Sequence, residues 1–181
     1  MEFPQKIILL KDGRQALLRS PSPEDARDML DYLKTAAGET EFLLRYPEEC
    51  SEDVEAERQF LSNALQADTQ IMILCEVDGV LAGNCHMGYN THLKTRHRAS
   101  VAIGLLRQFW GLGIGTALFR EMIALAESRG LEYLELDYME GNQRARSLYE
   151  KMGFYPVAEV PDAYRLKDGS MRKSILMMIK L

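Results

Sequence analysis

Trp110-Gly111-Leu112-Gly113-Ile114-Gly115-Thr116 lies between a strand-like run, residues 98–105, and a helical run, residues 113–129. In the helical run Ile114, Leu118, Met122 and Leu125 share one face, and Gly130 follows as a stop. Glycines at a strand-to-helix turn let the backbone approach a ligand closely. The first N–H groups of a helix, at the positive end of its macrodipole, suit a pyrophosphate. Read alone, the loop also fits a tight structural turn. A P-loop would need a lysine, and the loop has none. A dinucleotide-binding fold would need a third glycine where Thr116 stands. Asp137 falls about where a ribose-binding acid would sit, but too little chain follows for the remaining strands of such a fold.

Outward from the loop, residues 131–138 read as a strand, with Leu134, Leu136 and Tyr138 on one face and Glu135 and Asp137 on the other. Residues 142–152 read as a short helix with Ala145, Leu148, Tyr149 and Met152 on one stripe, and Gly153 ends it. Two strand-like runs, 154–165 (broken by prolines) and 171–179, close the chain around Asp168-Gly169.

Upstream, runs 71–77 and 80–89 flank Asp78-Gly79, a two-residue hairpin signal. That register sets Val77 against Val80, Cys75 against Ala82 and Cys85 against Met72, so Cys75 and Cys85 do not meet. Runs 7–10 and 15–19 form a further strand pair around Asp12-Gly13. Ser22-Pro23-Glu24-Asp25 starts a helix carrying Ala26, Met29, Leu30 and Leu33. Ser51 begins a second acidic helix start, followed by Ala56, Phe60, Leu61, Ala64 and Leu65. Between these helices residues 42–47 are apolar and aromatic, suited either to a lid over a pocket or to a packed interhelix loop. The expected class is α/β, a mixed sheet flanked by helices, in one domain over residues 1–181.

The 181 residues suit one domain, and 46% apolar with 27% charged residues suits a globular core. Apolar runs of four to six residues fall short of the roughly 20 a membrane span needs. No basic leader followed by an apolar stretch is visible. A soluble cytoplasmic protein is expected, with no membrane partner. A net charge of −5 argues against a nucleic-acid partner. Cys50, Cys75 and Cys85 are odd in number and scattered, so reduced structural thiols are expected. His86, His92 and His97 fit neither one helix face nor a finger spacing, so no metal site is expected.

The strand at 131–138 leads into Gly141-Asn142-Gln143-Arg144-Ala145-Arg146-Ser147-Leu148-Tyr149-Glu150-Lys151-Met152-Gly153-Phe154. With the glycine loop, this stretch resembles the GNAT superfamily of acetyl-CoA-dependent N-acetyltransferases. The likeness runs from about Ser100 to Phe154. The family's loop reads Gln/Arg-x-x-Gly-x-Gly/Ala and cradles the CoA pyrophosphate. Two registers are open: one uses Gly113 and Gly115 and departs from the pattern with Trp110 at its Gln/Arg position, and the other matches it letter for letter with Gln108, Gly111 and Gly113; both put the donors within Gly111, Leu112, Gly113, Ile114, Gly115 and Thr116. The family's second pattern is carried by Asn142, Ala145, Leu148, Tyr149, Glu150, Lys151, Gly153 and Phe154.

The resemblance implies transfer of an acetyl group from acetyl-CoA to a primary amine, by direct attack in a ternary complex. A lysine-like amine, with a pKa near about 10.4, must lose a proton before it attacks. Tyr149 matches the family's general acid for the departing sulfur, a phenol being protonated at neutral pH. It also sits where a core tyrosine would. Asn142 would touch the cofactor arm or cap its helix. The strand end near Ile103, Gly104, Leu105 and Leu106 would splay and offer backbone groups to the pantetheine arm and the thioester oxygen. Family members often take a glutamate base from this strand, which here holds no acid, or use a water chain. His86, Asp137 and Glu140 are the candidates for the base. The acceptor is a small-molecule or peptide amine, and because the family often dimerises a homodimer is open here, though the residues do not decide it. The competing reading is a non-catalytic acyl-CoA-binding regulatory module on the same fold.

Overall fold

In the computed structural model, which describes residues 2–181, Asp12-Gly13 turns the chain between β1 (Lys6–Leu9) and β2 (Gln15–Arg19). The two pair antiparallel, with Ile8 opposite Ala16. Ser22 then caps a short 3-10 turn, Pro23–Asp25. Its side chain accepts from the Glu24 N–H, while Asp25 Oδ2 accepts from the Ser22 N–H at 2.6 Å. Helix α1 (Ala26–Glu39) follows and buries Ala26, Met29, Leu30, Tyr32, Ala36 and Ala37. Helix α2 (Val54–Gln66) begins later than the expected start at Ser51, because Asp53 is the cap. Its Oδ1 accepts from the N–H groups of Glu55 and Ala56, both at 3.0 Å. Residues 42–47 lie in the connection between them, and Leu44 is 80% exposed.

β3 (Gln70–Val77) and β4 (Val80–Tyr89) form the expected hairpin. Asp78 and Gly79 both have left-handed φ, 52° and 76°, as the favoured two-residue turn requires. Val77 faces Val80, but the register slips between Cys75 and Glu76, so Cys75 faces Gly83 and Cys85 faces Ile73. The expected pairings of Cys75 with Ala82 and Cys85 with Met72 are therefore each one residue out. A bulge adds one residue to β4. The Ala82 carbonyl at the bulge accepts from Leu106 N–H at 2.9 Å, and an added Cβ at Gly83 would come within 2.4 Å of the Gly104 carbonyl oxygen. All three cysteines are free thiols.

β5 (Arg98–Leu105) leads through a 3-10 turn, Arg107–Phe109, to α3 (Ile114–Ser128). Gly113, expected to open this helix, lies outside it at φ +99°. Gly130 ends it at φ +70°, with its N–H on the Glu127 carbonyl and that of Leu131 on the Ala126 carbonyl, a Schellman cap. β6 (Tyr133–Met139), α4 (Gln143–Lys151), β7 (Tyr155–Arg165) and β8 (Met171–Lys180) complete the chain. Strand β7 runs through its prolines, and the register with β8 shifts beside both of them.

The described residues form two compact units. One holds them up to Gly88 together with Ala102–Leu118; the other holds Tyr89–Val101 and Phe119–Leu181. In the first, β1, β2, β3 and β4 lie side by side, each antiparallel to the next. Ile71 to Cys75 of β3 are buried at every position, so the strand is covered on both faces. Leu18, Met29 and Leu61 share that unit's core.

In the second unit β5 runs parallel to β6, while β6 with β8 and β8 with β7 are antiparallel, so the sheet is mixed as expected. Its core is aromatic. Phe119 meets Tyr149 edge-on at 5.5 Å between centroids and Phe154 at 5.6 Å, and Tyr138 lies 5.9 Å from Tyr149. Such pairs add about 0.5–1.5 kcal/mol each beyond the area they bury. Among the described residues no helix is long and apolar enough to cross a membrane.

Candidate active site

The glycine loop belongs to the first unit. Its two left-handed glycines are Gly111, φ +82°, and Gly113, φ +99°. Gly115 instead lies inside α3 and is buried. The geometry thus sets Gly111 and Gly113, in the loop, apart from Gly115, in the helix. The Gly113 carbonyl takes the first helical bond, from Ala117 N–H at 3.0 Å. Ile114, Gly115 and Thr116 form the first turn, whose N–H groups have no acceptor within a helix. A Cβ on Gly111 would meet nothing within 4 Å, so the backbone there is open to a close approach. Donors at a helix start beside an open backbone fit a diphosphate.

Several contacts hold this loop. Lys11 N–H donates to the Leu112 carbonyl at 3.1 Å, tying the loop to the β1–β2 turn. Trp110 Nε1 donates to the Leu105 carbonyl at 2.8 Å. The Arg107 guanidinium stands 5.6 Å from the Trp110 ring, and that of Arg14 5.7 Å from the Phe109 ring. Glu39, at the end of α1, accepts from Arg107 N–H at 2.6 Å and its own carbonyl accepts from the Arg107 side chain. The strand end at Ile103–Leu106 was expected to offer free backbone groups. The Leu105 carbonyl is already engaged by Trp110, and the Leu106 N–H by Ala82.

Asn142 and Tyr149 belong to the second unit. Asn142 caps α4, its Oδ1 accepting from the Ala145 N–H at 3.1 Å. Tyr149 is buried on that helix and packed among Phe119, Tyr138 and Phe154. Gly153, φ +94°, ends the helix, and Phe154 N–H returns to the Tyr149 carbonyl at 3.0 Å. The Gly-Phe pair after the helix is therefore a Schellman cap whose apolar contact is with Tyr149 itself.

Each of the three candidate bases has its own partners. His86, in the first unit, bonds Gln70 Oε1 through Nε2 at 2.8 Å, and burial lowers its pKa. Asp137 on β6 takes two hydroxyl donors on Oδ2, from Tyr164 and from Ser174, each at 2.8 Å. Burial, and beyond it the Asp137 carboxylate, push the Tyr164 phenol up despite the Ser174 contact, which keeps the phenol a donor. Glu140 lies beside the Lys173 N–H at 3.5 Å. The Asp137 partners are 27 and 37 residues away in sequence, beyond any local pattern. No group of three or more potential metal ligands occurs among the described residues.

A model of the acetyltransferase (GNAT) family matches residues 33–154, and the chain belongs to that family. The family uses acetyl-CoA and acts on amines. An uncharacterised N-acetyltransferase from Methanocaldococcus jannaschii is 30% identical over 100 residues, 54% of this chain and 44% of that protein. The matched stretch thus spans less than half the length of that relative. Among solved structures, the acetyltransferase of GNAT family from Streptococcus pneumoniae is similar at a TM-score of 0.85 and 26% identity, over 92% of this chain and 99% of the other. A candidate acetyltransferase from Salmonella typhimurium, solved with its cofactor acetyl-CoA, is similar at a TM-score of 0.76 and 17% identity, over 92% and 94%. At that identity the likeness is one of fold.

Proposed function

We propose that residues 1–181 act as one N-acetyltransferase domain that moves an acetyl group from acetyl-CoA to a primary amine by direct attack. The observation that carries this reading is the loop with left-handed Gly111 and Gly113 opening α3, in a chain of this family. The family match crosses both units, which supports one domain.

Acetyl-CoA supplies an activated acyl group on a thiolate leaving group. Backbone N–H groups of Gly111, Leu112, Gly113, Ile114, Gly115 and Thr116 bind its diphosphate, the helix start supplying partial positive charge. Leu105 bounds the pantetheine arm with its backbone. Asn142 orders the start of α4 and contacts the cofactor. Tyr149, as a phenol, is the proton donor to the departing sulfur. The three free thiols suit a reducing cytoplasm as the compartment.

Thiol release from acetyl-CoA, followed across polyamines, amino acids, aminoglycosides and N-terminal peptides, tests the reading. Release that depends on an amine and falls in Tyr149→Phe supports it. CoA binding without release from any acceptor would favour a non-catalytic acyl-CoA-binding module.

A further inference from the structure

A groove of about 380 Å³ opens on the sheet of the second unit. Its wall runs across β5, β6 and β8, with Ser100 facing Glu135, Glu135 facing Met178 and Asp137 facing Leu176 in register. On β6 this is the face of Glu135 and Asp137, opposite Leu134 and Tyr138, the latter of which packs on Tyr149. Leu176, Met178 and Val157 give the groove apolar floor.

Its charges do not cancel. Three charged side chains line it: Arg98, Glu135 and Asp137. Arg98 is ion-paired with Glu135 and also points an Nη at the Met178 sulfur, 3.7 Å away. Asp137 has no cation among the described residues, only two hydroxyl donors, and both fall on Oδ2. One donor is Ser174, which with Asp25 is one of two buried polar residues of the described chain. The carboxylate is thus oriented through Oδ2, its charge is left over, and Oδ1 has no protein donor among the described residues. A lone anionic acceptor beside an apolar floor is complementary to an ammonium on an alkyl stem.

We propose that this groove is the acceptor site, taking a cationic primary amine with an aliphatic stem, and that the Asp137 carboxylate is its ammonium-binding group. This deepens the transferase reading and rests on it for the word acceptor. On β5 the groove takes Ser100 where an acid could stand, and its unpaired carboxylate comes from β6 instead.

Calorimetric titration of the full chain with saturating CoA tests this directly, using n-pentylamine, 1-pentanol and pentanoate as probes. The amine is expected to bind, the alcohol about tenfold or more weakly, and the anion weakest. Asp137→Asn should weaken the amine by about 10- to 100-fold with CoA affinity unchanged, Asp137→Glu should restore part of it, and Ser100→Lys should weaken it from the β5 side. Equal binding of amine and alcohol, no binding of the amine, or amine binding that survives both Asp137→Asn and Ser100→Lys would each overturn the proposal. Amine-dependent thiol release that is undiminished in Asp137→Asn would overturn the groove and leave the transferase standing. Asp137-dependent amine binding without thiol release from the wild type would do the reverse.

Discussion

Trp110 Nε1 donates to the Leu105 carbonyl across 2.8 Å, so a single indole ties the end of β5 to the entrance of the glycine loop. Trp110→Phe keeps an aromatic ring under the Arg107 guanidinium and removes the donor. We expect a loss of about 1 kcal/mol in unfolding free energy. CoA binding should weaken about three- to tenfold as the loop loses its anchor. Denaturant titration and calorimetry read the two effects separately.

Two glycines should respond differently to alanine. At Gly113 the new Cβ would meet only Lys11 Cγ, at 3.9 Å, so the cost is the left-handed φ of +99°, roughly 1–2 kcal/mol. At Gly83 the Cβ would lie 2.4 Å from the backbone oxygen of Gly104, which cannot give way as a side-chain tip can. Gly83→Ala should therefore cost more stability than Gly113→Ala, while Gly113→Ala should cost more CoA affinity. A reversed order of stabilities would show that the bulge on β4 is softer than its contacts indicate.

Tyr149 is expected to separate catalysis from packing. Tyr149→Phe keeps the edge-on contact with Phe119 and the tilted contact with Phe154, so the melting temperature should move little. Turnover should fall by about 10²-fold or more if the phenol is the acid. Tyr149→Ala should cost about 3–5 kcal/mol in stability as well, because the ring fills the unit's aromatic core. Unchanged turnover in the phenylalanine variant would reduce Tyr149 to a core residue.

His86 gives the fold a pH dependence of definite sign. Burial lowers its pKa below 6.5, so the unfolded chain binds the proton more readily than the folded one. Its contribution to stability is full above pH 6.5 and is lost as pH falls through the folded value. His86→Gln should therefore flatten the fall in the urea midpoint between neutral pH and mildly acid pH. The same slope in variant and wild type would assign the acid sensitivity to the carboxylates.

Much of this molecule follows local rules. Asp78-Gly79 specified its hairpin because few residues besides glycine, asparagine and aspartate tolerate two successive left-handed positions. Gly130 and Gly153 ended their helices for a related reason, each accepting the conformation of a Schellman cap. The cap at Asp53 was missed in favour of Ser51 because both are good capping types, and only the actual bonds to Glu55 and Ala56 separate them.

The amino-acid sequence by itself determined the order of strands and helices, the mixed sheet, the glycine loop, and the linked stretch from Asn142 to Phe154. These are patterns of a few residues, governed by backbone conformation and side-chain period. The tertiary structure alone decided that Cys75 faces Gly83, because the slipped register depends on a bulge and not on the turn. It alone set Gly111 and Gly113 apart from Gly115, since φ at a glycine is chosen by its surroundings. It alone brought Tyr164 and Ser174 onto Asp137 while pairing Arg98 with Glu135. Whether a carboxylate keeps an unspent charge depends on which distant side chains reach it. That is settled by strand order and packing, not by its neighbours along the chain.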